Sequence, residues 1–169
     1  MRVDGIPKTA YKKVEYCLKP PFNLLWELGF TTGLRVSDLL KLTPKKINTQ
    51  RPCITEQKTK KRKRLYIKKD LLDRINYYID RHNIKPDGKI FDFSRVTAWR
   101  EIKKAGKEAG IDVNIGTHTM RKSYAKQYVC RDGKTIKDLA KRLNHSQISD
   151  TMGYLTDNKA LGIEGKTEI

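Results

Sequence analysis

The stretch THTMRKSYAKQYV, from Thr117 to Val129, sets His118 and Arg121 three residues apart with no acidic residue beside them. A surface helix usually balances such a pair with Asp or Glu one turn away, so the spacing predicts that a ligand supplies the counter-charge. Four other positions carry chemistry of the same kind: Arg35 in TTGLRVSDLLKL, Lys58 in EQKTKKRKR, His145 in RLNHSQ and Tyr154 in SDTMGYL. Each has an ordinary reading by itself. His118 and Arg121 can be a solvated helix face, His145 a helix end facing the dipole, and Tyr154 a packing residue. Together they describe a site for phosphoryl transfer. Attack on a phosphodiester spreads negative charge over the non-bridging oxygens, which two guanidiniums, Arg35 and Arg121, can clamp bidentately. The Tyr154 hydroxyl can be the nucleophile and keep the phosphoester bond as a covalent intermediate. His118 and His145 can hydrogen-bond the phosphate or shuttle protons, and Lys58 can protonate the departing oxygen. No cluster of Asp and Glu is spaced to hold magnesium, so the side-chain cations are expected to serve without a metal or other cofactor.

The charge balance names the partner class. Lys and Arg number 37 against 19 Asp and Glu, a formal charge of +18 with a sequence pI near 9.9. Such an excess repels itself unless a polyanion is present, and cations that neutralise phosphates release condensed counterions. Nucleic acid is therefore the expected partner, with no small-molecule substrate. At 169 residues and 37% hydrophobic content the chain has the size of one domain with one core. No apolar run approaches the length of a membrane span, and MRVDGIPKTAYKK lacks the apolar middle of a signal peptide. The expected compartment is the cytoplasm of a bacterial host, on the nucleoid. Cys17, Cys53 and Cys130 are too scattered for a disulfide framework or a metal site and read as reduced packing residues.

Several elements must position these groups. PFNLLWELGF, after Pro20 and Pro21, reads as a helix ended by Gly29 or Gly33, and RVSDLLKL as a second short helix. Between Lys46 and Ile67 the runs CIT and RLYI predict a small antiparallel sheet joined by a cationic hairpin turn. DLLDRINYYIDRH carries the clearest amphipathic pattern, and SRVTAWREIKKAGKEAG is a further helix stopped at Gly110. Thr117 is the expected N-cap of the helix holding His118 and Arg121, which should end near Gly133. Thr135 and Asp138 match a capping box for the next helix, and Ser146 can cap a last one reaching Tyr154. The result is a mainly α fold with a small antiparallel β-sheet, of the α+β class.

In these boxes the chain resembles the catalytic domain of the tyrosine recombinases, the phage-type integrases. TGLRVSDLLKL with Arg35 is similar to the family's first-arginine segment, and KTKKRKR with Lys58 to its hairpin lysine. HTMRKSYA with His118 and Arg121, and LNHSQISDTMGY with His145 nine residues before Tyr154, match its remaining boxes in order and spacing. Met120 stands where the family usually has Leu, and Asn144 where it has Gly. Lys60, Lys61 and Lys63 share the hairpin with Lys58 and are the alternatives for its role, and Asp38 is read as support for the arginines.

The resemblance implies that Tyr154 attacks the scissile phosphate of double-stranded DNA. The products are a 3′-phosphotyrosyl link and a free 5′-hydroxyl, with no cofactor, and strands then exchange within a homotetramer. Residues 1–169 read as the catalytic domain without the core-binding and arm-binding domains that usually precede it, and the tail 155–169 as a segment exchanged between protomers. Three alternatives stay open: a catalytically inactive DNA-binding fragment or regulator, a type IB topoisomerase-like nicking and closing enzyme, and a basic RNA-binding protein. The last would need exposed stacking aromatics.

Overall fold

The computed structural model describes residues 3–130 and 134–155. Its elements run α1 (Lys8–Cys17), α2 (Phe22–Thr32), α3 (Val36–Leu39), β1 (Cys53–Thr55), β2 (Arg62–Arg64), α4 (Lys69–Arg81), α5 (Arg95–Glu108), α6 (Thr117–Val129), α7 (Ile136–Arg142) and α8 (Ile148–Met152). This is the mainly α fold with a small antiparallel sheet that the sequence pattern predicts.

α2 is the centre of the domain. Leu24, Leu25, Trp26, Leu28 and Phe30 are all buried, as expected of a helix apolar on every side. It packs against α1, α3, α4, α5 and α6. Glu27, the one acid on this helix, pairs with Arg74 of α4. α1 was not foreseen from the sequence. Tyr11 and Val14 sit inside, Tyr11 stacks on Trp26 with ring centroids 4.6 Å apart, and its hydroxyl donates to the Trp26 carbonyl. Gly29 does not end α2. A Cβ there would lie 3.0 Å from Met120 Cβ and 3.1 Å from Leu39 Cδ1, so the missing side chain lets α6 approach closely. Gly33 ends the helix instead, at φ 65°, a left-handed conformation that costs other L-residues about 1–2 kcal/mol.

In the sheet, Cys53 pairs with Arg64, Ile54 with Lys63 and Thr55 with Arg62. The second strand thus begins earlier than RLYI, and backbone bonds carry the pairing on from Leu65 N–H to the Pro52 carbonyl and from Ile67 N–H to the Gln50 carbonyl. Ile54, Lys63, Leu65 and Ile67 all face inward.

Two caps differ by one residue from expectation. Gly116, not Thr117, precedes α6, with its N–H donating to the Thr119 hydroxyl at 3.0 Å, and Gln147, not Ser146, precedes α8. The Thr135–Asp138 capping box forms as read, and Ser94 caps α5. α6 ends at Val129; Gly133 and residues 156–169 of the tail lie outside the described residues. Cys53 and Cys130 are exposed rather than packed, Cys17 is half-buried, and all three are free thiols. A small second cluster of Tyr124, Ala125, Leu139 and Leu143 joins α6 to α7, with Tyr154 and Leu155 packed on its edge. None of the described helices is long and apolar enough to cross a membrane.

Candidate active site

Arg121 is the keystone of the site. Its α6 position turns it inward, where it is 1% exposed, and a buried guanidinium must find acceptors for its fork of donors. It donates from Nη1 to the Gly33 carbonyl at 2.6 Å and from Nη2 to the Leu143 carbonyl at 2.8 Å. Nη2 also meets His145 Nε2 at 3.1 Å. The left-handed turn at Gly33 therefore presents a carbonyl to Arg121, and two residues later it delivers Arg35 at the start of α3.

The arginine fixes the state of His145. Because Arg121 can only donate, Nε2 must carry the lone pair, and Nδ1–H then donates to the buried Thr151 hydroxyl at 2.8 Å. Burial, reinforced by Arg121 and Arg35, lowers the imidazole pKa to about 4, so the ring is neutral at physiological pH. Tyr154 follows α8 and stands beside it, with ring centroids 5.3 Å apart. The tyrosine also lies near Arg121, and its oxygen favours the charged guanidinium against its burial.

Tyr154 opens onto a cleft of about 570 Å³ whose walls include Arg95, Trp99 and His118. The His118 pKa is lowered by burial, then by Arg95 and Arg121, which favours the neutral imidazole. Lys58 stands exposed on the turn of the β1–β2 hairpin. Gln57 roots that turn by donating its N–H to Asp38 Oδ1 at 2.9 Å and its side-chain amide to the Ser37 carbonyl at 2.6 Å. Asp38 thus anchors the hairpin rather than an arginine.

Two further residues complete the cluster: Glu56, missed in the sequence, and Lys63, legible there only as one of several hairpin lysines. Glu56 is fully buried, and its carboxylate lies 3.4 Å from Arg35 Nη1 and 3.7 Å from Arg121 Nη1. It corrects the expectation that no acid balances Arg121. Burial alone would raise its pKa, but hydrogen bonds from Asn144 and Thr59 and the charges of Lys63 and Arg121 bring it below the usual value. Lys63 is the second, 3% exposed on the inner face of β2. Nη1 of Arg35 and Nε of Arg121 make no hydrogen bond within normal geometry to any described residue, and Nη1 of Arg35 is held by the Glu56 charge. Arg35, Arg121, His145 and Tyr154 are thus gathered around one point, with His118 on the cleft wall and Lys58 on the adjoining hairpin. Such an arrangement can bind a phosphate and present a hydroxyl to it.

Residues 8–160 match the family model described as the phage integrase family. The chain is 34% identical over 139 residues to the "Probable integrase/recombinase YoeC" of Bacillus subtilis, spanning 78% of this chain and 75% of that one. It is 28% identical over 152 residues to "Tyrosine recombinase XerA" of Saccharolobus solfataricus, covering 85% of this chain but 48% of the relative. The chain thus spans about half the length of that relative. Its fold overlays on a lambda integrase dimer bound to a COC′ core site with a TM-score of 0.75 at 17% identity, covering 99% of this chain and 64% of that one.

Proposed function

The chain belongs to the phage integrase family, and on that premise we propose that it breaks and rejoins double-stranded DNA in site-specific recombination, with Tyr154 as nucleophile. The observation that carries this reading is the convergence of Arg121, His145 and Tyr154: one guanidinium fixes the imidazole and lies near the phenol. The Tyr154 oxygen forms a bond to the scissile phosphorus, and the bond from phosphorus to the 5′-oxygen breaks. Neutral His118 accepts the phenolic proton across the cleft, and Lys58 gives a proton to the leaving 5′-oxygen. Arg35 and Arg121 take the charge that builds on the non-bridging oxygens, while His145 holds Arg121 in register. The number of phosphoester bonds is unchanged, so rejoining is the same step reversed and no cofactor is consumed. The pairing of Arg35 and Arg121 around Glu56 supports this role, as does the overlay on an integrase solved on its DNA core site. For the full-length protein we place the exchange in a homotetramer on DNA, with residues 1–169 as its catalytic domain.

The test is relaxation of supercoiled plasmid in EDTA, with detergent trapping of protein-linked DNA, for wild type and Tyr154→Phe. Relaxation and a covalent adduct in the wild type alone are expected. Binding without cleavage by both proteins would make this chain a DNA-binding fragment and overturn the catalytic reading.

A further inference from the structure

Glu56 does more than balance charge. Its Oε2 accepts from the Asn144 side-chain amide at 2.9 Å and from the Thr59 hydroxyl at 3.0 Å, and the carboxylate faces both Arg35 and Arg121. Four separate parts of the chain therefore meet at one buried acid: the hairpin, the start of α3, α6 and the turn after α7. The backbone repeats the link. The Lys60 N–H donates to the Glu56 carbonyl and the Glu56 N–H to the Lys61 carbonyl, both at 3.0 Å, so Lys58 sits inside a loop whose two ends close on Glu56.

Asn144 directly precedes His145 and has φ 53°. Glycine is the usual answer to that conformation, and Asn is the side chain that tolerates it best. Asn also brings an amide donor, which here is spent on Glu56. Glycine would keep the turn and lose the link.

We propose that Glu56 and Asn144 form a latch that positions the Lys58 loop against the Arg35–Arg121–His145 cluster, making Glu56 and Asn144 positioning residues for the leaving-group proton. The inference rests on the proposed function. Gln57 gives the hairpin a second root on Asp38, so loss of the latch displaces the loop without releasing it, and an effect of about tenfold is expected from one charge-assisted hydrogen bond.

The experiment uses a duplex carrying the plasmid site mapped from the covalent adduct, made once with its natural 5′-bridging oxygen and once with sulfur there. A thiolate leaves without being protonated, so sulfur removes the need for Lys58 and for anything that acts only by placing it. Asn144→Gly, which leaves the Glu56 charge on the arginines in place, is expected to cleave the oxygen substrate about tenfold more slowly than wild type and to recover on sulfur, as Lys58→Ala does. Equal loss on both substrates, or no loss on either, overturns the latch. Amide hydrogen exchange provides a readout independent of cleavage. Asn144→Gly should speed exchange at residues 57–61 about tenfold, and unchanged exchange overturns the proposal. A wild type that cleaves neither substrate refutes the proposed function instead, leaving exchange to decide the latch.

Discussion

Replacing Lys63 with methionine should stabilise this protein near neutral pH, and the gain should fade as the pH rises. Lys63 lies opposite Ile54 in the sheet register, which turns its side chain into the domain, where it is 3% exposed. Its ammonium makes no hydrogen bond to any described residue, and its nearest ring, Tyr124, is centred 5.9 Å away. Burial, then repulsion from Arg121, with further repulsion from Arg142 and Arg35, outweighs attraction from Glu56 and lowers its pKa from 10.5 to about 7. The folded value lies below the unfolded one, so between pH 7 and 10.5 the unfolded chain holds a proton that the folded chain has released. Stability therefore rises with pH across that window, and the full penalty applies only below pH 7. The whole gap is worth about 5 kcal/mol, of which about 2 kcal/mol is recovered between pH 7 and pH 9. Methionine has nearly the same length and carries no charge. Urea unfolding of both proteins at pH 7 and pH 9 should show Lys63→Met the more stable at pH 7, with its advantage reduced by about 2 kcal/mol at pH 9. Other titrating groups cancel in the difference. An advantage that does not change with pH would refute the argument, because Lys63 would then carry the same charge folded and unfolded.

Three further outcomes follow from the same geometry. Gly33→Ala combines a left-handed φ with a Cβ placed 2.8 Å from Cε1 and Cγ of Tyr124, and it disturbs the carbonyl that Arg121 uses; thermal unfolding should show a loss of about 2–4 kcal/mol. Thr151→Val removes the acceptor for His145 Nδ1–H and leaves that donor unpaired while Arg121 still fixes the tautomer, so the ring is held less firmly and single-turnover cleavage should slow about tenfold while DNA affinity stays the same. Lys60→Ala and Lys61→Ala remove exposed cations from the hairpin; if each meets one phosphate, the slope of log affinity against log salt should flatten by about 0.9 per substitution, as titrations across a range of salt concentrations would show.

The parts of the site legible in the sequence were those whose chemistry sits inside a short motif. Arg35, Arg121, His145 and Tyr154 each sit in a short box, and the order and spacing of those boxes were enough to group them, although the contacts that hold Arg121, to Gly33 and Leu143, are far away in sequence. Glu56 was not legible, nor was the burial of Lys63 among the hairpin lysines, because TEQKTKKRKR offers a run of cations that composition cannot tell apart. Alternation could have separated them. Ile54 and Glu56 share one face of the first strand, and Lys63, Leu65 and Ile67 share one face of the second, so the apolar members of each series fix where the charged ones point. Placing the second strand at RLYI hid this, since it left Lys63 in the turn. α1 was lost for a related reason: KTAYKKVEYC is mostly polar, and its inward residues Tyr11 and Val14 are too few to stand out until the Trp26 stack gives them a partner. The hairpin that looks like a uniform basic arm therefore has two functions on two faces. Its outer cations remain free to meet phosphate, while its inner face carries an acid and a lysine into the arginine cluster. A buried lysine there would be hard to explain as stabilising, given that it raises the positive charge around Arg121; its sense lies with the opposing Glu56, which two cations and an amide keep ionised next to the loop that carries Lys58.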